Sequence, residues 1–286
     1  MEQMSLAREL ETARRAARAA GTAAMRFYGS TLSERKADAS PVTAADHAAN
    51  DVITGTIRAD FPEDAILSEE SADSPERLGA RRVWIVDPLD GTKEFLAQNG
   101  EFSVLIGLLV DGEPVLGVVY LPAVEVMYAA ARGAGAWVDQ AGERRRLTRT
   151  EAVASAGIRL VGSRSHADPF LVRVQEALGI TDVAPCGSVG VKCSRIVDGD
   201  RQLYVHPVAH LKEWDTCAPE VILTEAGDRV TDCLGEPLRY NKTIPVQPHG
   251  IFAATPAVYE AVKDRVVAMY REQSSAVGRR SQTVGD

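Results

Sequence analysis

The segment Asp87-Pro88-Leu89-Asp90-Gly91-Thr92-Lys93-Glu94 holds the densest group of residues able to do chemistry. Pro88 forces Asp87 into extended geometry. The two aspartates therefore cannot share a regular helix face, and the reading places them on a turn where the apolar run from Val83 to Val86 ends. Two carboxylates crowded at one turn repel each other unless a cation neutralises them. Gly91 allows a tight turn or a close backbone approach. A helix starting at Thr92 would offer free amides to an anion. A cation site beside an anion site is what phosphoryl chemistry needs. Taken alone, the same string also reads as a solvated acidic turn.

Three further segments carry acids at places where elements begin or end. Leu67-Ser68-Glu69-Glu70 puts an acid pair at a strand end, and Pro41-Val42-Thr43-Ala44-Ala45-Asp46 puts an acid at a helix start. Lys212-Glu213-Trp214-Asp215 places Asp215 at the start of a later helix, where an ordinary helix cap is the alternative role. No His or Cys cluster suggests zinc, and carboxylates suit Mg²⁺, which prefers oxygen ligands. The Asp-x-Asp spacing of the haloacid-dehalogenase-type phosphatases does not apply, because here the two aspartates are three residues apart and lie well inside the chain.

The elements that must position these acids change character along the 286 residues. Leu6, Leu10, Ala13, Ala17 and Ala20 recur at helical spacing over the first 28 residues, and a second helix is predicted from Thr43 to about Asp60. Short apolar runs follow at Ala65–Leu67, Val83–Val86, Ser103–Val110, Val115–Tyr120 and Val126–Ala131. Asp111-Gly112 is a hairpin signal, and turn residues recur at 132–135 and 140–142, so an antiparallel meander is predicted. Beyond Arg149 helices and strands alternate. Strands are predicted at Ile158–Val161, Gln202–Val205 and Ile251–Ala254. Helices are predicted at Asp168–Leu178, Ser188–Val197, Trp214–Glu225 and Pro256–Met269. The predicted division is an α+β domain over 1–150, which carries most metal ligands, and a smaller α/β domain over 151–272, which carries substrate contacts. Residues 273–286, rich in Ser, Gly and Arg, are predicted to be a disordered tail.

Lys plus Arg is 32 and Asp plus Glu is 40, a net charge of −8, which argues against a general polyanion binder; no nucleic-acid polymer is expected as partner, and a local basic patch stays open. No apolar run approaches the length of a membrane span. The polar first ten residues lack the apolar segment of a secretory signal, so a cytoplasmic location is expected. Cys186, Cys193, Cys217 and Cys233 form no Cys-x-x-Cys pair and are read as reduced thiols, one structural disulfide being the rival reading.

Together the four acidic segments resemble the inositol monophosphatase superfamily of lithium-sensitive, magnesium-dependent phosphatases, in that family's order and over Leu6 to Met269. Within it, Lys93-Glu94, Trp214–Leu223, Gly162–His166 and Gly187–Lys192 are more similar to the 3′(2′),5′-bisphosphate nucleotidase branch. One departure is Asp228, where the family usually has a second glycine after Gly227. The sequence reading treats it as a turn residue tolerant of left-handed geometry.

The resemblance implies a layered αβαβα sandwich, with an antiparallel sheet in the first half and a smaller α/β second half, and an active site between them. It implies two or three Mg²⁺ ions held by Glu69, Asp87, Asp90, Asp215 and the Leu89 carbonyl, with Glu70 helping to hold an additional ion. Asp46 and Thr92 are implied to orient the attacking water. Gly91, Thr92, His166, Ser188, Lys192 and Asp215 are implied to contact substrate, His166 by stacking on a base and Lys192 by pairing with a second phosphate. The implied partner is a small phosphorylated nucleotide, adenosine 3′,5′-bisphosphate or its sulfated analogue. Inositol or another sugar monophosphate is the alternative substrate, and a catalytically silent metal or nucleotide sensor the non-enzyme alternative.

Overall fold

The first-half strands are apolar at consecutive positions and not only at alternate ones, so both faces of their sheet must be covered. The computed structural model describes residues 6–29, 33–35, 41–149, 157–164, 168–207 and 211–282. After α1 (Ala7–Met25), a short ribbon of β1 (Ser33–Arg35) and β2 (Pro41–Thr43) leads into α2 (Ala44–Asp60). A seven-stranded sheet follows in spatial order β3 (Ala65–Ser68), β4 (Arg82–Asp90), β5 (Ser103–Val110), β6 (Glu113–Leu121), β7 (Val126–Ala131), β8 (Gly135–Gln140) and β9 (Glu143–Leu147). β3 and β4 are parallel, and each later pair is antiparallel, as the meander predicts. The turns expected near 132–135 and 140–142 close the hairpins of β8 and β9, which the apolar pattern did not mark because β9 is mostly charged and exposed.

The second sheet is built from β10 (Arg159–Ser163), β11 (Asp182–Cys186), β12 (Leu203–His206), β13 (Arg229–Thr231) and β14 (Ile251–Ala254), in the order β11-β10-β12-β14-β13. Its helices are α4 (Pro169–Leu178), α5 (Val189–Val197), α6 (Glu213–Ala226) and α7 (Pro256–Gln282), and the five-residue α3 (Thr92–Leu96) follows β4. β11 and β13 are absent from the sequence reading: Asp182–Cys186 is short and broken by Pro185, and Arg229–Thr231 spans three residues, too short to show a period.

The packing gives five layers. Trp84, Val86, Val104, Ile106 and Leu108 share a core with α1 and α2. Their neighbours Val83, Ile85, Leu105 and Leu109 share another with α5, α6 and the second sheet's Val161, Tyr204 and Ile251. The far face of the second sheet packs on α4 and α7 through Leu160, Leu203, Phe170, Val174, Tyr259 and Val266. This is the αβαβα sandwich. α6 lies very close to the first sheet, because β5 and β6 place Gly107 opposite Gly117 beneath it. A Cβ on Gly107 would stand 2.5 Å from Cys217 Sγ, and one on Gly117 would stand 2.3 Å from the Ala218 carbonyl oxygen. Two bare positions thus set the depth of the helix whose first turn carries Asp215.

Two expectations are corrected. α7 does not end at Met269; it runs on to Gln282, past the start of the tail predicted from Gln273, and residues 283–286 lie outside the described residues. Asp228 does not take left-handed geometry. Gly227 alone makes that turn, at φ 99°, and Asp228 is instead a buried partner of Arg149 Nε at 2.8 Å and Nη2 at 2.5 Å. The four cysteines are free and buried. Among the described residues no helix is long and apolar enough to cross a membrane.

Candidate active site

Asp87 and Asp90 are both still on β4, and the strand pairing explains how they meet. Asp87 pairs with Leu105 and Asp90 with Ser103, so three steps on β4 match two on β5. In a regular strand residues three apart face opposite sides. The extra residue of this bulge turns both carboxylates to the same side. Carboxylate oxygens of Asp87, Asp90 and Asp215 all lie within 4.8 Å of one another. Asp87 Oδ1 also accepts from the Leu89 amide at 3.0 Å. Asp90 Oδ2 accepts from Ser103 Oγ at 3.0 Å, Ser188 Oγ at 2.5 Å and the Gly190 amide at 2.8 Å. Those three donors use one oxygen and leave Oδ1 uncommitted to them.

Asp215 arrives from the other half of the molecule. It stands third in α6, where its Oδ2 accepts from the Lys212 amide at 2.6 Å. The cap and the cluster are therefore the same residue. Glu69 follows β3 directly, with its amide on the Val86 carbonyl at 3.1 Å, which sets it beside Asp87. Burial pushes the Asp87 carboxyl well above the usual range, and the charges of Glu69, Asp90 and Asp215 push it further. Asp215 is likewise raised well above its ordinary value, by burial first and then by Asp90 and Glu69. Buried like charges of this kind fit a divalent cation bound by hard oxygen ligands, which would replace the repulsion with attraction.

Beside the cluster lies a hydroxyl–carboxylate pair. Asp46, third in α2 and buried, accepts the Thr43 amide at 2.8 Å and the Thr43 hydroxyl at 2.6 Å on Oδ2. Its Oδ1 accepts from Thr92 Oγ1 at 3.1 Å, and that hydroxyl is also 3.3 Å from the Leu89 carbonyl oxygen. Burial raises the Asp46 pKa, the Thr43 bonds oppose this, and the Glu70 charge adds to it. The Glu70 charge thus acts on Asp46, while that of Glu69 acts on Asp87 and Asp215.

Gly91 takes φ 96° at the start of α3, and a Cβ there would stand 2.9 Å from the Glu101 carbonyl oxygen. Ser188 caps α5 through the Val191 amide at 3.1 Å while its hydroxyl holds Asp90, so this expected substrate contact is engaged with a cluster residue. Lys192 is buried on α5 with its ammonium 5.5 Å from the Tyr204 ring centroid. His166 lies outside the described residues. Sequence reasoning missed Ser103, which becomes a partner of Asp90 only through strand pairing. It also missed Asn50. Ser68 Oγ donates to Asn50 Oδ1 at 2.7 Å, and Asn50 Nδ2 donates to Ser71 Oγ at 3.2 Å, tying the Glu69–Glu70 loop to α2. A signal existed, since Asn50 follows Asp46 by one helical turn.

The sequence profile of the inositol monophosphatase family matches residues 5–272. The 3′(2′),5′-bisphosphate nucleotidase CysQ of Escherichia coli K12 is 42% identical over 228 residues, covering 78% of this chain and 90% of that protein. The 3′-phosphoadenosine 5′-phosphate phosphatase of Mycobacterium leprae is 37% identical over 219 residues, covering 72% of this chain and 74% of that protein. Among solved structures, CysQ from Bacteroides thetaiotaomicron superposes with a TM-score of 0.75 at 31% identity, over 86% of this chain and 97% of that one.

Proposed function

The chain belongs to the inositol monophosphatase family, and on that premise we propose that it is a 3′(2′),5′-bisphosphate nucleotidase. It hydrolyses the 3′-phosphate of adenosine 3′,5′-bisphosphate to give AMP and phosphate, and takes the sulfated analogue at the same site. The observation that carries this reading is the convergence of Asp87, Asp90 and Asp215 within 4.8 Å, in a chain whose curated relatives are named for that reaction.

Asp87, Asp90, Asp215, Glu69 and the Leu89 carbonyl would hold two or three magnesium ions, with Glu70 contributing to an additional one. Magnesium bound there supplies positive charge at the scissile phosphate and the departing ribose oxygen. Thr92 Oγ1 accepts a hydrogen bond from the attacking water while donating its own to Asp46 Oδ1. The water's proton passes through that hydroxyl to Asp46, whose proton affinity burial has raised. Ser188, Ser103 and the Gly190 amide keep Asp90 oriented. Gly91, at φ 96°, makes the turn that presents the backbone at the start of α3 to the phosphate. Lys192 and His166 recognise the second phosphate and the base. The partner is a small nucleotide in the cleft between an N-terminal and a C-terminal half that divide near residue 150.

Metals held by the acidic cluster would engage the scissile phosphate alone, so substrate choice rests on the groups around it. A charge-assisted contact from Lys192 to the 5′-phosphate is worth ~1.5–3 kcal/mol, roughly ten- to a hundredfold in specificity. The test compares kcat/KM for adenosine 3′,5′-bisphosphate and inositol 1-phosphate in wild type and Lys192→Ala, with and without chelator. The bisphosphate is preferred, the variant loses that preference, and chelation abolishes both activities until Mg²⁺ is restored. Equal wild-type values for the two substrates would instead assign a general sugar phosphatase.

A further inference from the structure

Arg77 is a charged side chain with 2% exposure, on the 3-10 turn Pro75–Gly79 of the loop that begins with Glu69. Its own loop supplies one partner, the Asp73 carboxylate, bound from Nε at 2.6 Å and Nη2 at 2.8 Å. The guanidinium also reaches across the molecule. Nη1 donates to Asn241 Oδ1 at 2.8 Å and Nη2 to the Lys242 carbonyl at 2.9 Å, while Asn241 Nδ2 returns a bond to the Arg77 carbonyl at 2.9 Å. A second buried charge continues the chain of contacts. Glu213, with no exposed surface, accepts the Asn241 amide at 2.7 Å and the Lys242 amide at 3.0 Å. Glu213 opens α6, two residues before Asp215. Its own amide donates to the Pro245 carbonyl at 3.1 Å.

These contacts join the loop that carries Glu69 to the helix start that carries Asp215 by a route outside the acidic cluster. Inside the cluster Glu69 and Asp215 repel each other. We propose that Arg77, Asn241 and Glu213 form a strap that holds these two segments against that repulsion and so pre-organises the cluster for divalent cations. All three are positioning residues. Pre-organisation acts by lowering the ordering cost that binding would otherwise carry. The inference rests on the reading of Glu69 and Asp215 as metal ligands.

The test is calorimetric titration of Mg²⁺ into the full-length chain after chelation, comparing wild type with Arg77→Met, Arg77→Lys, Asn241→Ala and Asp90→Asn, with circular dichroism to confirm folding. The strap predicts a Kd for Mg²⁺ about tenfold weaker in Arg77→Met and Asn241→Ala, the low end of what is lost when groups supporting metal ligands are removed. Arg77→Lys falls between these variants and wild type. A purely structural role would lower the melting temperature of the metal-free protein and leave Kd unchanged, which overturns the strap. If Arg77→Met does not fold, Asn241→Ala decides together with Asn241→Gly, because both remove the two side-chain bonds to Arg77 and only glycine takes the φ of 56° at this position without strain, so the strap predicts the same loss in both. A wild type that binds no more Mg²⁺ than Asp90→Asn overturns the metal-site reading and the strap with it. Tight wild-type binding shared by the folded strap variants overturns the strap alone.

Discussion

Two helix starts face the site, and they are capped alike. In α2 the third residue, Asp46, accepts the amide of Thr43 at 2.8 Å; in α6 the third residue, Asp215, accepts the amide of Lys212 at 2.6 Å. What differs is the surroundings of each carboxylate. Asp46 Oδ1 meets the Thr92 hydroxyl, whereas Asp215 meets Asp87 and Asp90. Burial raises the proton affinity of both, but only Asp215 is raised further by two acids, Asp90 and Glu69. A neutral donor beside a buried acid makes a proton acceptor, and further acids beside it make a cation site. The local motif fixes the direction of the side chain, and the facing element decides its chemistry.

The largest expected effect separates these two roles. Asp215→Asn keeps an oxygen for the cap and removes a charge, so turnover should fall ~10³-fold, the upper range for losing a major electrostatic group. The metal-free variant should melt at a higher temperature than wild type, because a buried repulsion is gone. Turnover within a few-fold of wild type would reduce Asp215 to a cap.

Further along α6, Glu220 shows what a buried acid does without either role. Burial pushes its pKa up to about 7, against the opposing hydrogen bond from Tyr240. The folded pKa exceeds the ordinary value of 4.5, so the stability it contributes is present below that value and is lost as pH rises through about 7. Relative to Glu220→Gln, wild type should lose about 3 kcal/mol across that window. Denaturant melts of both proteins at several pH values check this, and parallel profiles would show that Glu220 is not perturbed.

Asp46→Asn should lower turnover roughly 10²-fold, the scale of a general base, with calorimetric Mg²⁺ affinity unchanged. A large loss of affinity would place Asp46 in the cation site and erase the contrast. Thr92→Ala is the smallest of these changes. It removes one hydroxyl between water and Asp46, and about tenfold in kcat is expected from one hydrogen bond to a charged group. Wild-type kcat would remove Thr92 from the proton path.

Most of the layered fold is legible in the chain because its signals are local. Thr43 before α2, Asp168-Pro169 at α4, Asp111-Gly112 between β5 and β6, and Gly227 after α6 each mark an element boundary where the structure has one. The parts not legible lack such signals. β9 is too charged to show an apolar period, β13 is too short, and the last turns of α7 run through a Ser-, Gly- and Arg-rich segment whose composition suggests disorder.

The candidate site divides in the same way. The sequence by itself determined which acids matter and that each sits at an element end, because caps, prolines and glycines act over a few residues. Only the tertiary structure decided how they meet. The β4 bulge turns Asp87 and Asp90 to one side, and the Gly107–Gly117 pair lets α6 bring Asp215 down to them. Ser103, Asn50 and the Arg77–Asn241–Glu213 contacts then hold the surrounding segments in place. These contacts span up to 164 residues of chain, and no local pattern encodes a partner so far away.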